Sequence, residues 1–217
     1  VNRQIGALIT LGCIAFALRA PAWAGLGALD DASAAWAKVD DYRMTMTVHE
    51  VASARTEDRT LSILFKKPAL EHMEIVSGAD RGSGVVWQGG DTVKAHKGGF
   101  LSGLHATFNL HDKQVETLRG GSVDTATIPG ILAQFTPAKG TLTEAPGPQI
   151  DGVDTTAVTL VVANPAPGEV TRDVLFLSAA THLPIRREGY AGTDLVRSFT
   201  VTDFKPNVGL TSSDFPW

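Results

Sequence analysis

Apolar and polar side chains alternate from Tyr42 to His49, with Tyr42, Met44, Met46 and Val48 set against Arg43, Thr45, Thr47 and His49. After a polar break at residues 53–58 the alternation returns. Leu61, Ile63 and Phe65 now oppose Thr60, Ser62 and Lys66, with Leu64 the one exception. Met73 and Ile75 follow, then two short runs, 84–88 and 92–96, around Gly89-Gly90-Asp91. A period of two predicts half-buried antiparallel strands, apolar on one face and wet on the other. Strands of about ten residues at roughly 3.3 Å each span roughly 30 Å, so one large apolar face has to be covered or left as a cavity wall. By strand parity Met44, Met46, Val48, Leu61, Ile63, Phe65, Met73 and Ile75 share that face, and they are the candidate ligand-lining residues.

The cover is expected from a helix just before the first strand. Leu26, Leu29, Ala32, Ala35, Trp36 and Val39 recur at three- and four-residue spacing, with Asp30 and Asp31 near the helix start, where its dipole favours them. Trp36 is the one large residue on the stripe. Either the helix simply caps the sheet, or it plugs a cavity and can be displaced. Pro68 marks a strand end, because proline cannot donate to a ladder. The alternation fails at residues 98–121, a glycine-punctuated stretch holding Phe100, Leu101, Leu104, Phe108 and Leu110. A long loop with apolar residues is expected to fold over something. Thr127 can cap a short helix with Pro129 in its first turn, and residues 145–148 read as a link. Strands at about 153–162, 170–177, 183–190 and 195–204 complete a meander. The count is nine or ten strands against two helices.

Composition narrows the class. At 217 residues, with 43% hydrophobic and 19% charged, the chain suits one globular domain. A formal charge of −4 gives no basic face for nucleic acid. Residues 1–24 read as a secretory signal peptide: Arg3, an apolar run over 5–18 and an Ala22-Trp23-Ala24 cleavage site, which makes Gly25 the expected mature N-terminus and 25–217 the expected domain. The single cysteine, Cys13, falls inside that segment, so no disulfide is expected in the domain.

Candidate chemistry is sparse. The chain has no Gly-x-Ser-x-Gly elbow, HExxH, phosphate loop or dinucleotide fingerprint, and neither enzymatic activity nor a cofactor is expected. His96, His105, His111 and Asp112 fall close together but lack the i, i+4 or i, i+2 spacing that aims two ligands at one ion, so no metal is expected. Glu71, Glu74, Asp80 and Asp112 read by default as a solvated face. Lys66-Lys67 at a strand end is either edge protection or a rim charge that holds a lid or meets a lipid headgroup. Met44, Met46 and Met73 are all the methionines of the chain. On one wall they make either ordinary core or a surface that adapts to variable partners.

The order of elements resembles the LolA/LolB/RseB-like family of periplasmic proteins. Ile63-Leu64-Phe65-Lys66-Lys67-Pro68 is similar to that family's strand, Lys-Arg-Pro, strand pattern. Gly84-Val85-Val86-Trp87-Gln88-Gly89-Gly90-Asp91-Thr92-Val93 resembles its strand, Asp-Gly, strand hairpin, and Leu183-Pro184-Ile185-Arg186-Arg187 with Val201-Thr202-Asp203-Phe204 its closing meander. The resemblance implies a mainly β (α+β) fold, an incomplete antiparallel β-barrel with helices over its concave face. Lys67 stands where LolA proteins carry an arginine that helps hold the cavity lid. It further implies an exported, periplasmic carrier or binder of a lipid or acylated ligand, with transient membrane contact or an envelope protein as partner. The alternative is an RseB-like sensor or interaction domain whose cavity is filled by its own side chains.

Overall fold

The computed structural model describes residues 27–101 and 103–216. The expected signal peptide, with Cys13, lies outside the described residues, as does Trp217. Helix α1 (Gly27–Ala37) leads into six strands: β1 (Asp41–Ala52), β2 (Arg55–Lys66), β3 (Leu70–Gly78), β4 (Gly84–Trp87), β5 (Thr92–His96) and β6 (His105–Asn109). Two short helices, α2 (Val123–Ala126) and α3 (Ile128–Gln134), then precede β7 (Gly140–Pro146), β8 (Thr155–Val162), β9 (Arg172–Ser178), β10 (Pro184–Ala191) and β11 (Asp194–Pro206). The eleven described strands form one antiparallel sheet in the order β6-β5-β4-β3-β2-β1-β11-β10-β9-β8-β7, which is left open at β6 and β7. Two meanders are thus joined at a central seam, β1 against β11.

Strand parity decides which side chains meet the helices. Directly paired residues share a face, so Tyr42, Phe65, Glu71 and Trp87 form one row across β1 to β4, and Met44, Ile63, Met73 and Val85 the next. These rows and the inward residues Val158, Leu160, Leu175 and Leu177 of the second meander form one core with Ala32 of α1 and Ile128, Ile131 and Phe135 around α3. The cap expected at Thr127 is present: its hydroxyl accepts from the Gly130 N–H at 3.0 Å, with Pro129 in the first turn. Helices α2 and α3 meet so closely that a Cβ on Gly130 would lie 2.0 Å from the Asp124 carbonyl oxygen, which leaves room only for glycine.

The structure differs from the sequence reading in several elements. It has eleven strands and three α-helices among the described residues, and residues 145 and 146 expected in a link end β7. The stretch expected to be one long loop contains β6 and does fold over the sheet: Leu110, just past β6, enters the core, and Phe108 of β6 and Val115 pack against it. Phe100 and Leu104 at its tip stay exposed. Past β11 the chain crosses to the convex side. Asp41 accepts from the Gly209 and Leu210 N–H groups at 3.1 and 3.0 Å, and the segment ends with Phe215 buried and its carbonyl bonded by Gln88.

Candidate functional site

The concave wall between β1 and β4 brings together most of the residues expected to line a ligand. Met44, Met46, Ile63, Phe65 and Met73 are buried in the core, while Val48 and Leu61 are half-buried against it. Ile75 shares a row with Met46 and Leu61 but is only half-buried and stands outside the core cluster. Trp36 comes down from α1 onto this wall, its ring 5.4 Å from Phe65 and 6.0 Å from Tyr42. Tyr42 in turn stacks on Phe65 at 5.2 Å, with planes 13° apart. The helices lie directly on these side chains. A groove of about 420 Å³ remains between α1 and α3, lined by Leu29, Ser33, Trp36, Leu132, Phe135 and Pro137 among others.

Lys67 fastens that cover. Its ammonium donates to the carbonyl oxygens of Trp36 at 3.0 Å and Ala37 at 3.1 Å, the last residues of α1, and sits 4.7 Å over the Trp36 ring. Both contacts favour a cation: the carbonyl end of a helix carries partial negative charge, and so does an indole face. An ammonium can serve these diverging acceptors without the planar fork of arginine.

The solvated-face reading of the acids fails at Glu71. It is fully buried in the row of Tyr42, Phe65 and Trp87, and neither carboxyl oxygen has a hydrogen-bond partner among the described residues. Burial, and then the negative charge of Asp124, push its carboxyl well above the usual range. The buried Tyr42 hydroxyl also has no hydrogen-bond partner of good geometry. Burial followed by the Glu71 charge raises it too, and the nearby Ile128 backbone offsets this only in part. Parity carried the signal: Glu71 lies two residues before the inward Met73.

The other meander holds its buried acid differently. Asp173 accepts from Arg187 Nε at 3.0 Å and from another Arg187 nitrogen at 2.6 Å, and it also bonds Arg197. Arg187 reaches on to Gln134 of α3 at 2.9 Å, so this cluster ties the helix to the sheet. Burial alone would raise the Asp173 carboxyl, but the hydrogen bonds and charge of Arg187 and Arg197 hold it below the usual value.

The histidines separate. His72 and His96 both meet Glu74 on the convex side, at 3.2 and 3.0 Å, and His96 lies 5.5 Å from His105 ring to ring, whereas His111 and Asp112 belong to the loop beyond β6. No group of three or more His, Cys, Asp or Glu side chains among the described residues is placed to hold a metal ion. No described helix is long and apolar enough to cross a membrane.

No protein-family model and no curated protein sequence matches the chain. Solved structures do. An uncharacterized conserved protein from Thermus thermophilus aligns with a TM-score of 0.57 at 12% identity, over 87% of this chain and 90% of that one. MucB aligns with a TM-score of 0.53 at 13% identity, over 89% of this chain and 64% of MucB. A LolA superfamily protein from Nitrosomonas europaea aligns with a TM-score of 0.45 at 15% identity, over 88% of this chain and 96% of that one. With an open eleven-stranded antiparallel sheet and helices on its concave face, the chain shares its fold with the Thermus protein and MucB.

Proposed function

We propose that this chain is a periplasmic carrier that binds a lipid or other acylated ligand against the concave wall of the half-barrel, beneath helices that move aside. The observation that carries the reading is the placement of the methionines. All three stand in adjacent rows of the wall, beneath the helix cover. Methionine packs adaptably against chains of variable shape. The driving force is desolvation, at about 0.8 kcal/mol per buried methylene. A membrane offers an acyl chain nearly the same gain, so transfer is close to neutral and the cover decides loading and release. No bond need be made or broken.

The helices packed directly on the wall favour a second reading, an interaction module of the kind expected from RseB. MucB, whose fold this chain shares, is known in complex with MucA(peri). Organic extraction of the exported protein followed by mass spectrometry distinguishes the two. The carrier reading expects an acylated molecule in stoichiometric amount. An empty extract, together with no binding of a fluorescent fatty acid, leaves the interaction module.

A further inference from the structure

We propose that Glu71, with Tyr42 beside it, recognises a protonated amine on the ligand enclosed by the concave wall, so that the chain selects cationic amphiphiles. The inference rests on the ligand-binding reading above and names the chemistry of what is bound.

Nine in ten or more buried polar groups in folded proteins have a hydrogen-bond partner, and leaving one without costs about 1–3 kcal/mol. This wall leaves the Glu71 carboxyl without a partner among the described residues, and in the same row, two strands away across Phe65, the Tyr42 hydroxyl has only the Ile128 backbone near it. A purely structural position would hold a methionine or leucine at less cost. The surroundings specify the missing partner. Asp124 of α2 acts on Glu71 as a second negative charge, and no lysine or arginine is among the causes acting on the Glu71 carboxyl. Phe65 and Trp87 flank Glu71 in its row, while Tyr42 and Trp36 stack around Phe65. Aromatic faces around a carboxyl attract an ammonium. A carboxylate or phosphate headgroup would meet like charge, and an alcohol would gain a hydrogen bond without the charge.

Arrival of an ammonium also moves a proton. Burial pushes the Glu71 carboxyl toward its protonated form, so pairing with a cation favours its ionisation and the release of a proton to solvent. Isothermal titration of the full exported protein at neutral pH with dodecylamine, dodecanol and dodecanoate tests this. The expected result is dodecylamine tighter than dodecanol by about ten- to a hundredfold, the value of one hydrogen bond to a charged group. Titration in buffers of different ionisation enthalpy should show net proton release on binding the amine and none on binding the alcohol. Glu71→Gln should lose both the amine preference and the proton release, and Tyr42→Phe should weaken the amine severalfold. The wild-type preference and proton count are read without any variant, so they stand if a variant does not fold. Equal affinity for amine and alcohol, tighter dodecanoate, or a preference kept in Glu71→Gln overturns the inference and leaves the carrier reading intact. Failure of all three probes to bind overturns both.

Discussion

Glu71 and Asp173 are both carboxyls buried on the concave face, one in each meander, and they behave in opposite ways. Asp173 is bonded by two arginines, one of which continues to α3, so its burial holds the cover to the sheet. Glu71 has no hydrogen-bond partner among the described residues and is raised by burial rather than lowered by cations. The difference teaches that burial alone does not make an acid structural. What decides is whether the fold supplies the counter-charge or leaves it to be supplied from outside.

Breaking the paired side should have the largest effect. Replacing Arg187 by methionine leaves Asp173 buried with half its partners, and urea unfolding should show a loss of about 3–5 kcal/mol. A loss under about 1 kcal/mol would mean that Arg197 alone satisfies the acid. On the unpaired side the sign reverses. Glu71→Met removes a buried polar group without a partner and should stabilise by about 1–3 kcal/mol in the same assay. A destabilised variant would show that Glu71 has a partner in solution.

The pH dependence separates the two acids without truncating either. The Glu71 carboxyl is raised in the folded state, so its protonated form is favoured and no penalty exists below the unfolded carboxylate value. Stability therefore falls as pH rises from that value toward the raised one. Thermal melts of wild type against Glu71→Gln should converge in acid and diverge toward neutral pH, with the variant the more stable. Asp173 is lowered when folded, so its contribution is present above the unfolded value and lost as pH falls through the folded one. The smallest effect is expected at the cover. Lys67→Met removes the cation from the carbonyl end of α1 and should cost about 0.3–1 kcal/mol. Amide exchange should show it as faster exchange confined to α1, whereas faster exchange throughout the sheet would deny Lys67 its local role.

The long strands were legible because one of their faces is buried, so Met44, Met46, Ile63 and Phe65 carry a period of two that only Leu64 interrupts. The Thr127 cap and the stripe around Trp36 were legible for similarly local reasons. Strands β6 and β7 were not, because both are sheet edges and nearly all their residues face water, which erases alternation. Glu71 was hidden by its own chemistry: its charge argued for solvent while its parity with Met73 argued for the interior. Arg187 was visible only as part of a family-like segment. Its bonds to Asp173 and Gln134 join three separate elements, and no local pattern encodes that.

The central seam has a consequence for the order in which the molecule can be completed. Residues of β1 pair with residues of β11 about 150 positions later in the chain. Closing so long a loop costs roughly 4–5 kcal/mol of chain entropy before the pairing returns anything, and such distant contacts slow folding. A chain delivered N-terminus first therefore presents β1 as an unpaired edge until nearly every other strand has emerged. Edges of that kind recruit other chains. The middle of the finished sheet is thus the last part to be built, and a nascent copy is most open to wrong partners along the strand that ends up best protected.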